Sequence, residues 1–115
     1  MKKQKPEKMD GGLGPKEIQK VRAANRLVWQ RNSYARKLCI KRATHEDGFP
    51  RCEACKAKVP KIFVDHIETV GDLDAGFLSR LWCASSGLQA LCGKCHGKKT
   101  SEERRLAREK AKVGF

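Results

Sequence analysis

Leu88-Gln89-Ala90-Leu91-Cys92-Gly93-Lys94-Cys95-His96-Gly97-Lys98-Lys99-Thr100 and, upstream of it, Arg51-Cys52-Glu53-Ala54-Cys55 decide how this chain is read. Each stretch holds one C-x2-C pair, Cys52/Cys55 and Cys92/Cys95. Two intervening residues let both sulfurs of a pair reach one ion from a tight turn. Four thiolates then supply the closed tetrahedron that structural zinc prefers. These four cysteines are accordingly read as structural zinc ligands, with the second pair on the first turn of a helix. Cys39 and Cys83 have no partner at such spacing and read as small buried apolar residues. His66 or His96 is not needed as a substitute ligand once four cysteines close the site.

The gap between the two pairs is longer than in a short zinc ribbon, so a substructure is inserted there. Lys61-Ile62-Phe63-Val64-Asp65-His66-Ile67 has the branched and aromatic content of a short strand. Val70 to Ala75 reads as a loop, and Phe77, Leu78, Leu81 and Trp82 are spaced for one apolar face of a short helix. Downstream, Thr100-Ser101-Glu102-Glu103 matches a capping box, with Thr100 as cap and Glu103 three residues on. It predicts a last helix to about Lys112. Arg104, Arg105, Arg108 and Lys110 there either touch phosphate or pair with Glu102, Glu103 and Glu109, and pairing is the favoured reading.

Upstream, residues 1–14 are polar, basic and glycine-rich, which predicts a flexible arm. Pro15 suits the first turn of a helix expected to run to about Ala43. Ile18, Val21, Ala24, Val28, Ala35 and Leu38, with Leu27 and Tyr34 alongside, form the stripe expected to dock on the remainder. The other faces hold nine bases against the single acid Glu17. So few acids leave most of these bases without an ion-pair partner, and a phosphate-contacting face is the reading. His45, Glu46 and Asp47 read as a helix exit and loop, with His45 exposed.

The whole chain agrees with this. With 115 residues it is one small domain whose core is marginal without a staple such as a metal. Its formal charge of +13, from 26 basic and 13 acidic residues, favours a polyanionic partner. Aromatic residues are few, so backbone phosphate contact is expected over base stacking, with binding that weakens steeply in salt. No apolar run is long enough for a bilayer, and no secretory segment follows the basic start. A cytoplasmic protein with reduced thiols and no membrane partner is expected.

Asp65-His66 and His96 remain once zinc is accounted for. If the zinc site pins the strand against the helix start, Asp65 and His96 can converge on one divalent ion. His66 then stands beside them as a neutral base at pH 7. Neighbours on a regular strand point to opposite faces, so a shared site requires the strand to bend or end at this pair.

Taken together, C-x2-C, Val64-Asp65-His66-Ile67 and Leu88 to Thr100 resemble the HNH endonuclease family, over roughly residues 49–105. Small phage and prophage HNH proteins are the nearest in style. The resemblance implies an α+β fold: a treble-clef-like ββα-metal (His-Me finger) core, zinc-braced over 49–115, with the basic helix of 15–43 packed on it and a C-terminal helix. It implies Asp65 and His96 as ligands of a catalytic magnesium, manganese or other divalent ion, and His66 as general base. It further implies cleavage or nicking of DNA, with phage packaging or other accessory proteins as possible partners. Arg22, Arg26, Arg36, Lys37, Lys98 and Lys99 are the expected phosphate contacts. One departure stands out: the family's Asn, which steadies the hairpin loop and the base, falls on Gly87 here, after Ser85 and Ser86. The rival reading is a non-catalytic zinc module that binds nucleic acid through its basic helix; Gly87 favours it, and the Asp65, His66, His96 set does not.

Overall fold

The computed structural model describes residues 11–113. The element order is α1 (Pro15–Asn32), α2 (Tyr34–Ala43), β1 (Phe63–His66), α3 (Phe77–Leu81), a single 3-10 turn (Ser85–Gly87), β2 (Leu88–Leu91) and α4 (Gly93–Val113). This is a small α+β arrangement of four α-helices and one two-stranded antiparallel sheet among the described residues. The arm expected over 1–14 lies mostly outside them.

The basic segment is two helices rather than one, which corrects the expected single helix of 15–43. The break is Ser33, whose backbone is extended between the two. Its Oγ accepts from Arg36 N at 3.1 Å, and its own N–H donates to Trp29 O at 2.8 Å. A serine that caps the next helix offers the backbone an alternative to continuing the first. The break also shifts the phase of the apolar face. Val28 and Tyr34, expected in the docking stripe, are 51% and 72% exposed. The buried residues are Trp29 on α1 and Cys39 and Ala43 on α2.

A second correction concerns the last helix. It starts at Gly93, within the second cysteine pair, so Thr100 is interior. Its hydroxyl donates back to His96 O at 3.0 Å, the usual alternative for a threonine inside a helix. Arg105 pairs with Glu102 and Glu109 as expected. In the short α3, Phe77 and Leu81 are buried, whereas Leu78 and Trp82 are exposed.

The strands pair in the register Phe63↔Leu91, Val64↔Ala90, Asp65↔Gln89 and His66↔Leu88. Alternation sends Val64, His66, Leu88 and Ala90 to one face and Phe63, Asp65, Gln89 and Leu91 to the other. On the first face Leu88 and Ala90 join Trp29, Cys39, Ala43, Val70, Phe77 and Leu81 in the main core. On the second, Leu91 packs with Cys52 and Cys92 in a smaller core, and Ile62 borders both.

The free edge of β2 is closed by Glu53, from within the first cysteine pair. Its N–H donates to Ala90 O at 2.8 Å, and its carboxylate accepts from Ala90 N at 2.8 Å. Arg42 clamps that carboxylate and also donates to the carbonyls of Ser85 and Leu88. Burial pushes the Glu53 carboxyl up, but the bonds from Arg42 and Ala90 outweigh it and hold the group below its usual range. Glu53→Ala strands a buried N–H and is expected to cost about 1–3 kcal/mol in denaturant unfolding, whereas Glu53→Gln keeps the acceptor and costs less. A lowered carboxyl pKa stabilises above the unfolded-state value and is lost as pH falls through the folded one. The gap between wild type and Glu53→Ala therefore narrows in acid.

Candidate functional site

The sulfurs of Cys52, Cys55, Cys92 and Cys95 all lie within 4.8 Å of one another, and Cys55 and Cys92 are 3.8 Å apart. Zinc–sulfur bonds of about 2.3 Å in a tetrahedron put sulfurs about 3.8 Å apart, so the cluster has the size for a metal such as zinc. The two pairs are built alike. Cys55 N–H points to Cys52 Sγ and Cys95 N–H to Cys92 Sγ, both at 3.5 Å. The first pair sits in a turn closed by Lys56, whose left-handed backbone (φ 67°) returns its N–H to Cys52 O. The second sits on the first turn of α4.

The cluster's chemistry suits a cation. Burial pushes the Cys52 thiol up, but backbone N–H groups of Cys55, Cys92 and Ala54 outweigh it and bring it down to about 6. Hydrogen bonds of its thiol with Cys92, Cys52 and Cys55, with a smaller contribution from the Cys52 charge, push Cys95 up to about 12. A divalent ion at the centre would replace that proton with a positive partner for all four sulfurs. Cys39 is different: burial pushes its thiol up to about 11, and it stays a protonated donor towards Glu53. Both it and the half-buried Cys83 stand outside the cluster, as expected.

A cleft of about 570 Å³ is lined by Asp65, His66 and His96 together. β1 ends at His66, which is how strand neighbours on opposite faces come to border one space. The Asp65 carboxylate is divided. Its Oδ2 takes Gln89 Nε2 at 3.1 Å, across the strands, and Lys99 Nζ at 2.8 Å. Its Oδ1 faces His96 Nε2 at 4.0 Å. The His96 ring stacks on Phe63, with centroids 5.3 Å apart, which fixes its direction. On the other side of β1, His66 Nε2 lies 2.9 Å from Leu81 O. A carbonyl only accepts, so Nε2 carries a proton; of the two neutral tautomers this is the one with the lone pair on Nδ1.

The three donors of Lys99 meet three acceptors: Asp65, Glu103 and the carbonyl of His66. Burial lowers its pKa, but these bonds and charges outweigh it and hold it above the usual lysine value. Arg26 and Arg36 line the cleft. Lys37 and Lys98 are exposed, and Arg22 is half-buried. His45 is exposed, as expected.

Several residues that order this region were not visible as candidates. Read from the sequence, Glu53 has no role inside its cysteine pair and Arg42 none beyond that of one of nine bases. Arg80 ties the connection between the strands through the carbonyls of Val70 and Asp72 and the carboxylate of Asp74. Trp29 was out of phase with the stripe. The one usable signal was a tryptophan in an otherwise basic helix. No family model, curated protein or solved structure matches the chain.

The glycine at 87 has a local reason. A Cβ there would lie 2.9 Å from Cys83 Sγ and 3.3 Å from Cys83 Cβ, closer than side chains tolerate. Gly87→Asn is expected to destabilise by about 1–3 kcal/mol, and Cys83→Ala in the same chain to restore part of it, both read from denaturant curves. The thiols must lose protons to bind an ion. Metal affinity, measured by chelator competition, is therefore expected to fall by about tenfold or more per unit as pH drops from 8 to 5. One zinc per chain is expected by elemental analysis. A strong chelator should lower the melting temperature, and Cys52→Ser should abolish that response.

Proposed function

We propose that this chain is an HNH-type endonuclease: a zinc-braced, divalent-metal-dependent phosphodiester hydrolase that cuts or nicks DNA. The observation that carries the reading is the convergence of Asp65, His66 and His96 on one cleft, with Asp65 Oδ1 facing His96 and His66 pinned by a backbone carbonyl. The order of two antiparallel strands followed by a helix agrees with a ββα-metal core.

Asp65 and His96 fit as an open pair of metal ligands. Two ligands at about 2.1 Å from one ion lie about 3.0 Å apart on adjacent octahedral corners and about 4.2 Å apart on opposite ones; at 4.0 Å these two atoms are within reach of one shared ion. One oxygen and one nitrogen leave most of the coordination sphere to water and substrate, as a catalytic ion requires. An ion held by Asp65 and His96 would supply Lewis-acid polarisation of the phosphate and charge stabilisation at the leaving oxygen. Gln89 and Lys99 hold Asp65 Oδ2, so that Oδ1 is the oxygen presented to the ion. His66 Nδ1 takes a proton from water as the water oxygen bonds to phosphorus. The P–O3′ bond breaks, and O3′ takes a proton from solvent.

Arg26 and Arg36 in the cleft, with Arg22, Lys37 and Lys98 outside it, would hold the nucleic-acid backbone. The net charge of +13 supports this assignment. Phosphate contacts release counterions, so affinity should fall steeply between low and physiological salt.

A second reading has its own support. Lys99 already gives Asp65 a cation, and Gly87 stands where the family keeps Asn. A zinc-braced module that binds nucleic acid without cutting it would show both features.

Supercoiled plasmid incubated with magnesium, manganese, nickel or zinc separates the two. The nuclease reading expects relaxed or linear product from wild type with at least one ion. His66→Ala should lose about 100-fold or more in rate while keeping its gel shift. A wild type that shifts DNA and leaves it uncut with every ion would install the binding module instead.

A further inference from the structure

We infer that Trp29, on α1 and outside the strand-strand-helix unit, is the positioning residue for His66. The inference rests on the nuclease reading for its consequence in rate, and on geometry alone for its structural half.

Trp29 is the one fully buried residue of α1, at 5% exposure, while Ile18, Val21, Arg22 and Asn25 are half-buried and the others exposed. Its ring meets the His66 imidazole with centroids 4.6 Å apart and planes tilted by 42°. Both residues line the same cleft. Burial of an indole normally comes with a partner for its N–H, yet Trp29 Nε1 is buried with none among the described residues. A site selected only for stable packing would accept phenylalanine and avoid that orphan donor. What the site uses is a broad aromatic plate against the imidazole.

That plate completes a constraint which the hydrogen bond leaves open. The bond from Nε2 to Leu81 O fixes one atom of the ring and its tautomer. Rotation about that bond would still swing Nδ1, on the far side of the ring, through the cleft. A flat side chain against the imidazole limits this rotation and holds the Nδ1 lone pair in one direction. A proton acceptor held in line is worth far more than one that samples several orientations. Ser33 sets where the plate stands, because its N–H is tied to Trp29 O and its hydroxyl opens α2. Arg26 is one turn earlier on α1 and lines the cleft as well, so the helix that steadies the base also brings a cation to the same space.

The test uses the full chain with Trp29→Phe and Trp29→Leu, His66→Ala as the inactive control, and three readouts. These are plasmid-cutting kcat and KM, gel-shift affinity, and the Nε2–H signal of His66 in 15N-imidazole NMR spectra. Leucine keeps an apolar side chain in the buried position and lacks the plate; phenylalanine keeps the plate and removes the orphan donor. Trp29→Leu is expected to lower the melting temperature yet stay folded at the assay temperature, checked by circular dichroism, and to keep its DNA affinity within about twofold. Its kcat should fall about tenfold or more, with KM little changed, and its Nε2–H signal should broaden by exchange with solvent. Trp29→Phe should recover kcat to within about threefold of wild type and keep the signal sharp.

Trp29→Leu with unchanged kcat and a sharp Nε2–H signal would overturn the assignment. So would a loss of rate that merely follows a loss of DNA affinity or of folding, since Trp29 would then only anchor α1. If wild type cuts nothing, the nuclease reading fails by itself. The Nε2–H signal in the leucine and phenylalanine variants then still decides whether Trp29 holds His66.

Discussion

Everything in this small protein is referred to one constraint: four sulfurs from two distant segments must occupy one volume. Cys52 and Cys55 belong to a turn, and Cys92 and Cys95 to the first turn of α4. Bringing them together closes the intervening chain into a loop, which holds β1, α3 and β2. That loop cannot place its strands at random, because β2 runs directly into Cys92. The start of α4 is thereby fixed against the end of β2, and His96 and Lys99 follow within the next turn. A core of a dozen or so buried residues is weak on its own at this size, so the cluster also sets how firmly these relations are held.

The cluster does not act alone. Glu53 lies between two of its cysteines and closes the open edge of β2 with both its backbone and its side chain. Arg42, from α2, grips the same carboxylate and two carbonyls around the 3-10 turn. The ion pair itself is partly exposed and contributes little as an isolated pair. Its importance is that a buried backbone amide depends on the carboxylate. The cysteine cluster, the sheet and the basic helices are thus joined through one glutamate.

The cleft shows a related economy of charge. Asp65 divides its two oxygens between an internal lysine and amide on one side and His96 on the other. His66 faces the opposite side of the strand, yet borders the same space because β1 stops there. Its ring is set between a carbonyl of α3 and the indole of α1, neither of which belongs to the strand pair. The basic N-terminal helices are therefore part of the wall of the site as well as a charged surface.

Much was legible in the residues themselves. The two C-x2-C pairs announced a cluster because sulfur spacing within a turn is a local matter. The strand at Phe63–His66, the short α3 and the exposure of His45 followed from local composition and periodicity, whereas the strand at Leu88–Leu91 showed itself only in its pairing with β1. The α+β class was what the resemblance of the motifs implied, and the four helices and two-stranded sheet agree with it. Other features belonged to the tertiary structure. Ser33 breaks the basic segment, because a capping hydroxyl competes with helix continuation only when the next helix has a surface to pack on. Thr100 is interior, because the fixed position of Cys92 lets α4 begin two turns sooner than its capping pattern suggests. The roles of Trp29, Glu53, Arg42 and Arg80 were invisible for one reason. Each acts on groups far away in sequence, and a side chain's partners across such distances are chosen by the packing of elements, which no local pattern encodes.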